Sequence, residues 1–324
     1  MQVLQLRGGL LETRHQVSAV ALPLPGAGGS AWSTGPDLWS TWRSAAKPLQ
    51  LWCSLEALGD PPDLGPDLVA LGASSHSGQP AHVAAVAALL DRFSVPLSAL
   101  QCGAEPPAHR GTAQALLAAG QPFLPLHNDC SGKHAFMLGA CHARGWSLPA
   151  YLQPDHPLHR RVLEVARLWT GEQPALAVDG CGVPTLWLPL SAMARVWARL
   201  ATAAVQPAPD PRLHRIAAAM LAHPWWTSGD ERIDLALHRR ATEPWIGKIG
   251  ARGVFCVALP ARGLGLALKV HDGDEDALAV AVPAVVERIA PGALAPAADW
   301  PWATIHNVAG RAVGTRVAVG LDGA

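Results

Sequence analysis

Of the 25 basic residues in this 324-residue chain, 21 are Arg and only four are Lys: Lys47, Lys133, Lys248 and Lys269. Arginine stays protonated in proteins, whereas a buried lysine can lose its proton and serve as a base or a ligand. The abundance of Ala, Gly, Pro and Arg, with one Tyr (Tyr151) and two Asn (Asn128 and Asn307), points to GC-rich coding, under which surface lysines drift to arginine. A lysine that persists marks a position where arginine does not serve. Ser44-Ala45-Ala46-Lys47, at the start of a predicted helix, sets a serine and a lysine on one helix face. Lysine can then take the serine proton, provided burial or a second cation lowers its own pKa. Pro48 suits a first helical turn, where its missing N–H is not needed.

Three further segments carry reactive residue types. Ser74-Ser75-His76-Ser77-Gly78, just before a predicted helix over 81–92, clusters small hydroxyls that can wall an active site. Turn and cap chemistry uses the same residues. Asn128-Asp129-Cys130-Ser131-Gly132-Lys133-His134 is not a phosphate loop, because His follows Gly-Lys and no Gly lies five residues before Gly132. Cys130, Lys133 and the distant Cys181 of Asp179-Gly180-Cys181-Gly182 can bind zinc; two buried cysteines with an ion-paired lysine is the alternative. Lys269 in LALKV and Lys248 in IGKIG sit in apolar strand-like runs, where a lysine either faces a site or guards a sheet edge. There is no G-x-S-x-G nucleophile elbow and no H-E-x-x-H zinc motif.

The elements that must position these residues follow from hydrophobic period and breakers. Residues 2–6 and 16–22 predict a hairpin, and 25–38 a loop. Helices are predicted over 45–58, 81–92, 111–119, 132–145, 157–170, 190–204, 211–222 and 229–240. Residues 254–259 and 264–270 read as a second hairpin, 274–290 as a helix kinked at Pro283, and 311–319 as a last strand. Strands at both chain ends with helices between them predict an α+β fold rather than alternating βαβ. The sheet part is expected over about 1–45 and 245–324, and the mainly helical region over about 46–244, of one domain.

Composition narrows the partners. Half the residues are hydrophobic, 15% are charged, and Lys+Arg equals Asp+Glu at 25 each. A balanced charge argues against nucleic acid or a membrane surface as partner. No apolar run of membrane-spanning length is present. The N-terminus MQVLQLRGGLLETRH lacks the parts of a signal peptide, which predicts a cytoplasmic protein whose six cysteines are thiols or ligands rather than disulfides.

Taken together, RGGLLETRH (7–15), RSAAKPLQ (43–50), SSHSGQPAHV (74–83), CGAEPP (102–107), CSGKHAFML (130–138), PDHPLHRRV (154–162), DGCGVPT (179–185), GKIGARG (247–253), LALKVHDGD (266–274) and NVAGRAVG (307–314) resemble the rhizobial-type L-asparaginases. The matches run in order along almost the whole chain and contain all four lysines. The resemblance implies a serine-β-lactamase-like fold and hydrolysis of L-asparagine to L-aspartate and ammonia. It implies two Ser–Lys pairs, Ser44 with Lys47 and Ser75 with Lys269, and a Zn2+ held by Cys130, Lys133 and Cys181. Asp179 would bond a zinc-bound water; Arg43, His134 and Asn128 would line the substrate pocket; and the protein would be a homodimer. The chain departs from the family at Glu105 (often His), at Asp129 (Asn, which here is Asn128 one place earlier), at Phe136 (a small residue) and at Asp234 (Cys). Two other readings share part of the pattern. A penicillin-recognising serine acylase has the fold and the Ser-x-x-Lys motif but needs a K-T-G strand that is absent here. A non-catalytic zinc-binding protein would have no use for intact Ser44, Lys47, Ser75 and Lys269.

Overall fold

Gly8 and Gly9 both have positive φ (56° and 84°), and the strands Gln2–Arg7 and Leu10–Pro23 pair directly across them, with Arg7 opposite Leu10. A two-residue turn with two left-handed residues matches the twist of its strands, and glycine adopts it without strain. This hairpin seeds an eight-stranded sheet. Its path runs Thr304–His306, Ala312–Val319, Gln2–Arg7, Leu10–Pro23, Leu264–Val270, Val254–Leu259, Ile246–Gly250, with Trp32–Thr34 pairing to Leu10–Pro23 off the path. Each of these pairings is antiparallel. The structure, a computed structural model, describes residues 1–24, 30–297 and 300–321. Within the loop predicted over 25–38, residues 25–29 lie outside the described residues.

The described chain divides into two compact units. The sheet belongs to the first, which comprises Met1–Ala45, Leu188–Thr202 and Leu237–Ala324. Its strands Val254–Leu259 and Leu264–Val270 are buried throughout, so neither shows the alternation of a one-faced strand. The helix Glu275–Ile289 packs on the sheet, starting at Asp274, whose carboxylate caps Ala277 N–H at 2.6 Å, and running on through Pro283. A second helix, Leu190–Val205, closes on the strand at Gly265. A Cβ there would lie 2.1 Å from Ala198 N and 2.2 Å from Ala194 O, so only glycine lets backbone meet backbone.

The second unit, Ala46–Trp187 with Ala203–Ala236, is mainly helical. Pro48, Pro66, Pro80, Pro157, Pro211 and Pro224 each stand in the first turn of a helix, where the absent N–H costs nothing. Its centre is the helix Ser131–Ala143, buried at every position from Ser131 to Cys141 and packed against Lys47–Leu58, Pro66–Gly72 and Pro80–Arg92. Close packing explains its glycines: a Cβ at Gly132 would sit 2.5 Å from Leu71 O, and one at Gly139 2.4 Å from the Phe93 ring. Phe136 fills the space beside Gly72 and meets Phe93 edge-on at 5.7 Å.

The α+β class and the sheet drawn from both chain ends agree with the sequence expectation. Some boundaries do not. The helix predicted from 229 begins at Ile233, because Gly229 (φ 86°) and Glu231 (φ 63°) are left-handed and break its first turn. The helices Pro66–Gly72 and Pro224–Ser228 and the hairpin of Ala175–Val178 with Pro184–Pro189 were not anticipated; all are too short to show a period. Among the described residues no helix is long and apolar enough to cross a membrane.

Candidate active site

Lys47 opens the helix Lys47–Leu58 with its whole side chain buried. Its Nζ donates to Ser75 Oγ at 2.9 Å and to the Ser74 carbonyl. The lysine that sequence spacing assigns to Ser44 is thus bonded to Ser75. Ser75 lies in the irregular segment between the helices Pro66–Gly72 and Pro80–Arg92, where Ser74 to Gly78 are all buried. A buried irregular segment must find backbone partners elsewhere. Ser75 N–H donates to Thr227 O, His76 N–H to Asp129 O, and the Arg232 guanidinium to Ser75 O at 3.1 Å. Ser77 Oγ is held by the carbonyls of Ser228 and Asp230. The serine that meets Lys47 is therefore fixed by five neighbouring backbone and side-chain bonds rather than by a helix.

His76 is an internal brace. Gly78 N–H donates to its Nδ1 at 3.0 Å, so the proton is on Nε2, which donates to Ser131 Oγ at 2.8 Å. The Ser131 hydroxyl donates onward to Leu126 O. Burial holds His76 well below its ordinary pKa and keeps it neutral. Its ring stacks on His82, which stacks on Trp225 at 4.1 Å.

Two carboxylates stand beside this segment. Glu105 Oε1 accepts from Asp129 N–H at 3.0 Å, and Asp129 Oδ2 pairs with Arg232 at 3.1 Å. Burial raises the Glu105 pKa and the Asp129 charge adds to it, while Lys47 and Arg232 pull the other way. Both family departures in this stretch thus meet each other. Asn128 is spent on the backbone: its Oδ1 accepts from Cys130 N–H at 2.9 Å and its Nδ2 donates to Cys102 O at 3.0 Å. It shapes the turn that delivers Cys130 to the start of the buried helix.

A second cluster forms at that helix start. Lys133 Nζ lies 3.3 Å from Cys181 Sγ, and the Cys130 and Cys181 sulfurs share a hydrogen bond. Cys181 sits in the tight turn Asp179–Gly182, closed by Gly182 N–H to Asp179 O and Asp179 N–H to Val183 O. The Cys130 thiol lowers the Cys181 pKa far below a free thiol, with Lys133 adding to the effect, and the Cys130 pKa rises in response. The pair therefore holds one thiolate and one thiol. Burial opposes the Lys133 ammonium, but Cys181, Cys130 and Asp179 outweigh it and hold its proton. Among the described residues no group of three or more His, Cys, Asp or Glu side chains could hold a metal ion. A metal here would need the Lys133 amine as third ligand beside the two sulfurs. Two thiolates and one nitrogen with an open fourth position suit zinc, so the donor set fits that ion.

Arg43, Ser44, Lys248 and Lys269 lie in the sheet unit. Ser44 is half-buried in the single 3-10 turn Arg43–Ala46. Arg43 has φ 54°, a left-handed conformation that costs a non-glycine residue on the order of 1 kcal/mol. Lys269 closes the strand Leu264–Val270, donates to the carbonyls of Arg252 (2.6 Å) and Val270, and has its pKa lowered by burial. Lys248 is wholly buried on Ile246–Gly250 and donates to Ile249 O at 2.8 Å. Asp234, the fourth departure, is buried in the first turn of Ile233–Arg240.

Sequence reasoning gave no role to Arg232, which ties Ser75 to Asp129, or to Tyr151, which bonds His134. A lone tyrosine in a GC-biased chain was the available signal for the second. Nothing local marks the first, whose partners are 103 and 157 residues away.

A crystal structure of Mglu in its native form in the presence of 4.3M NaCl matches at 15% identity and a TM-score of 0.43, over 84% of this chain and 60% of that one. This chain therefore spans 60% of the length of the solved relative it matches. No curated protein matches. A family model described as L-asparaginase II matches residues 3–318, nearly the whole chain, and the chain belongs to that family.

Proposed function

We propose that this chain hydrolyses the side-chain amide of L-asparagine to L-aspartate and ammonia through a serine acyl-enzyme. The observation that carries the proposal is the hydrogen bond from the buried Lys47 amine to Ser75 Oγ, in a chain of the L-asparaginase II family. An amide is a poor electrophile, so the reaction needs an activated nucleophile and a stabilised oxyanion. We assign the attack to Ser44, which is half-buried and stands three residues before Lys47. Lys47, as the neutral amine, takes the Ser44 proton while Ser75 and Ser74 orient its Nζ. The oxyanion forms beside the N–H groups of the first turn of Lys47–Leu58, which have no partners inside the helix. Proton return to the leaving nitrogen releases ammonia, and water then cleaves the ester. Lys269, with its lowered pKa, is the second base, which the resemblance pairs with Ser75.

Cys130, Lys133 and Cys181 would hold the zinc, with Asp179 beside Lys133. Bound there, zinc supplies a fixed positive charge that can orient a substrate oxygen. Arg43 and His134 complete the substrate contacts. The serine-β-lactamase-like arrangement, assembly as a homodimer and a cytoplasmic location belong to the same proposal. The test is ammonia release from L-asparagine by the purified protein, with nitrocefin run in parallel. Ammonia without nitrocefin cleavage supports the reading; the reverse assigns the Ser–Lys apparatus to a penicillin-recognising acylase.

A further inference from the structure

We infer that Arg232 and Asp129 are positioning residues: together they grip both ends of the peptide unit between Ser75 and His76, and so aim Ser75 Oγ at the Lys47 amine. The inference rests on the reading that Lys47 is the base of the reaction. It goes beyond that reading by naming what sets the hydroxyl that orients this base.

Two peptide units flank Ser75, and each is held at both ends. Before it, the Ser74 carbonyl accepts from Lys47 Nζ, and the Ser75 N–H donates to Thr227 O at 3.0 Å. After it, the Ser75 carbonyl accepts from Arg232 Nη2 at 3.1 Å, and the His76 N–H donates to Asp129 O at 3.1 Å. The same Arg232 nitrogen lies 3.1 Å from Asp129 Oδ2, which closes the second pair of bonds into a ring. The φ and ψ of Ser75 lie between these two fixed planes. Only χ1 then remains to place Oγ, to which Lys47 Nζ donates at 2.9 Å. Ser75 belongs to no helix or strand, so its buried backbone depends on such bonds for its geometry. Asp129 is itself held, because its N–H donates to Glu105 Oε1 at 3.0 Å. All of these residues belong to the mainly helical unit.

Bringing Arg232 to this place strains the chain. Gly229 (φ 86°) runs against Ser77, where a Cβ would lie 2.7 Å from Ser77 Oγ. Glu231, immediately before Arg232, is left-handed with φ 63°. Backbone held in that region gathers at functional sites, where the surrounding structure enforces it. Arg232 is also a poor choice for stability alone. Among the described residues its side chain makes only the two hydrogen bonds above, both from Nη2, and its Nε is buried without a partner. A stranded buried donor is destabilising. What the arginine supplies is one donor nitrogen that reaches the Ser75 carbonyl and the Asp129 carboxylate at once.

The experiment is Arg232→Ala, read in two ways on the full chain. Steady-state kinetics on L-asparagine should show kcat lowered about 10²-fold, the loss that a misplacement of about 1 Å can bring, with KM within about twofold of wild type. Hydrogen exchange followed by NMR of histidine-labelled protein should show the His76 backbone N–H exchanging about tenfold faster in the variant, the change expected when the bonds that hold its peptide are weakened. An unchanged kcat in the folded variant overturns the inference, as does a loss confined to KM or an unchanged exchange rate. If Arg232→Ala does not fold, Asp129→Asn takes its place, because it keeps the backbone carbonyl on His76 and removes the charge opposite Arg232. A kcat lowered about tenfold in that variant supports the inference, and a wild-type kcat overturns it. If the wild type releases no ammonia, the functional reading fails, and the exchange rates still decide whether Arg232 holds the Ser75 peptide.

Discussion

Lysine chemistry is decisive at the scale of single residues. Lys47 is wholly buried and bonded to a serine, and Lys269 is buried with its pKa lowered. Arginine at either position keeps a positive charge but cannot accept a proton. Lys47→Arg and Lys269→Arg should each lower kcat by more than about 10²-fold, the usual share of general-base help, with circular dichroism and melting temperature near wild type. Near-normal turnover in a folded Lys47→Arg protein removes the assignment. The sulfur cluster makes a separate claim. Cys130→Ser and Cys181→Ser should each abolish the roughly stoichiometric zinc expected in the wild type, measured by metal analysis after zinc supplementation and dialysis. Zinc retention in both variants would place the metal elsewhere. The scarcity of lysine singled out four positions in the sequence, and two of them, Lys47 and Lys133, lie within hydrogen-bond reach of a serine hydroxyl and a cysteine sulfur. It could not show that Lys47 meets Ser75, because 28 residues and a buried irregular segment separate them.

At the scale of elements, the structure turns on helices and strands that approach too closely for ordinary side chains. Gly265 lets the helix Leu190–Val205 sit directly on a central strand. Gly265→Ala should cost about 3 kcal/mol or more, the upper end for overpacking, because the obstacle is backbone rather than a movable side chain. Its denaturation midpoint is the readout, and a wild-type midpoint would show that the helix can shift freely. Long elements with a clear period, such as Pro157–Thr170 and Leu190–Val205, were legible in the sequence within a residue or two. So were the strands 254–259 and 264–270, as apolar runs set off by Gly and Arg. What escaped was short or wholly buried. Pro66–Gly72 spans only seven residues, and the late start at Ile233 depends on the left-handed backbone of Glu231, which no residue preference announces.

For the whole molecule, buried histidines set the response to acid. Burial lowers the pKa of His82 and of His159 to about 4, against 6.5 when unfolded, and His76 is also held well below 6.5. Each is neutral in the folded state and takes up a proton on unfolding between those values. Their stability contribution is therefore complete above about pH 6.5 and is lost as pH falls towards 4, on the order of 3 kcal/mol for each of the first two. Denaturation measured between pH 7 and 4 should show this slope, shallower by about one proton in His159→Gln; a flat profile would contradict the burial of these rings. The central claim is the proposed hydrolysis of L-asparagine through a lysine-activated serine. One extra methylene displaces the carbonyl by about 1 Å, and a misplacement of that size can cost on the order of 10²-fold in rate. The most direct test is kcat/KM for L-asparagine and L-glutamine on one preparation, with Lys47→Arg alongside. The account predicts turnover of L-asparagine exceeding that of L-glutamine by about 10²-fold, with both rates lost in the variant. Equal values for the two amides, or ammonia release untouched by Lys47→Arg, would contradict it.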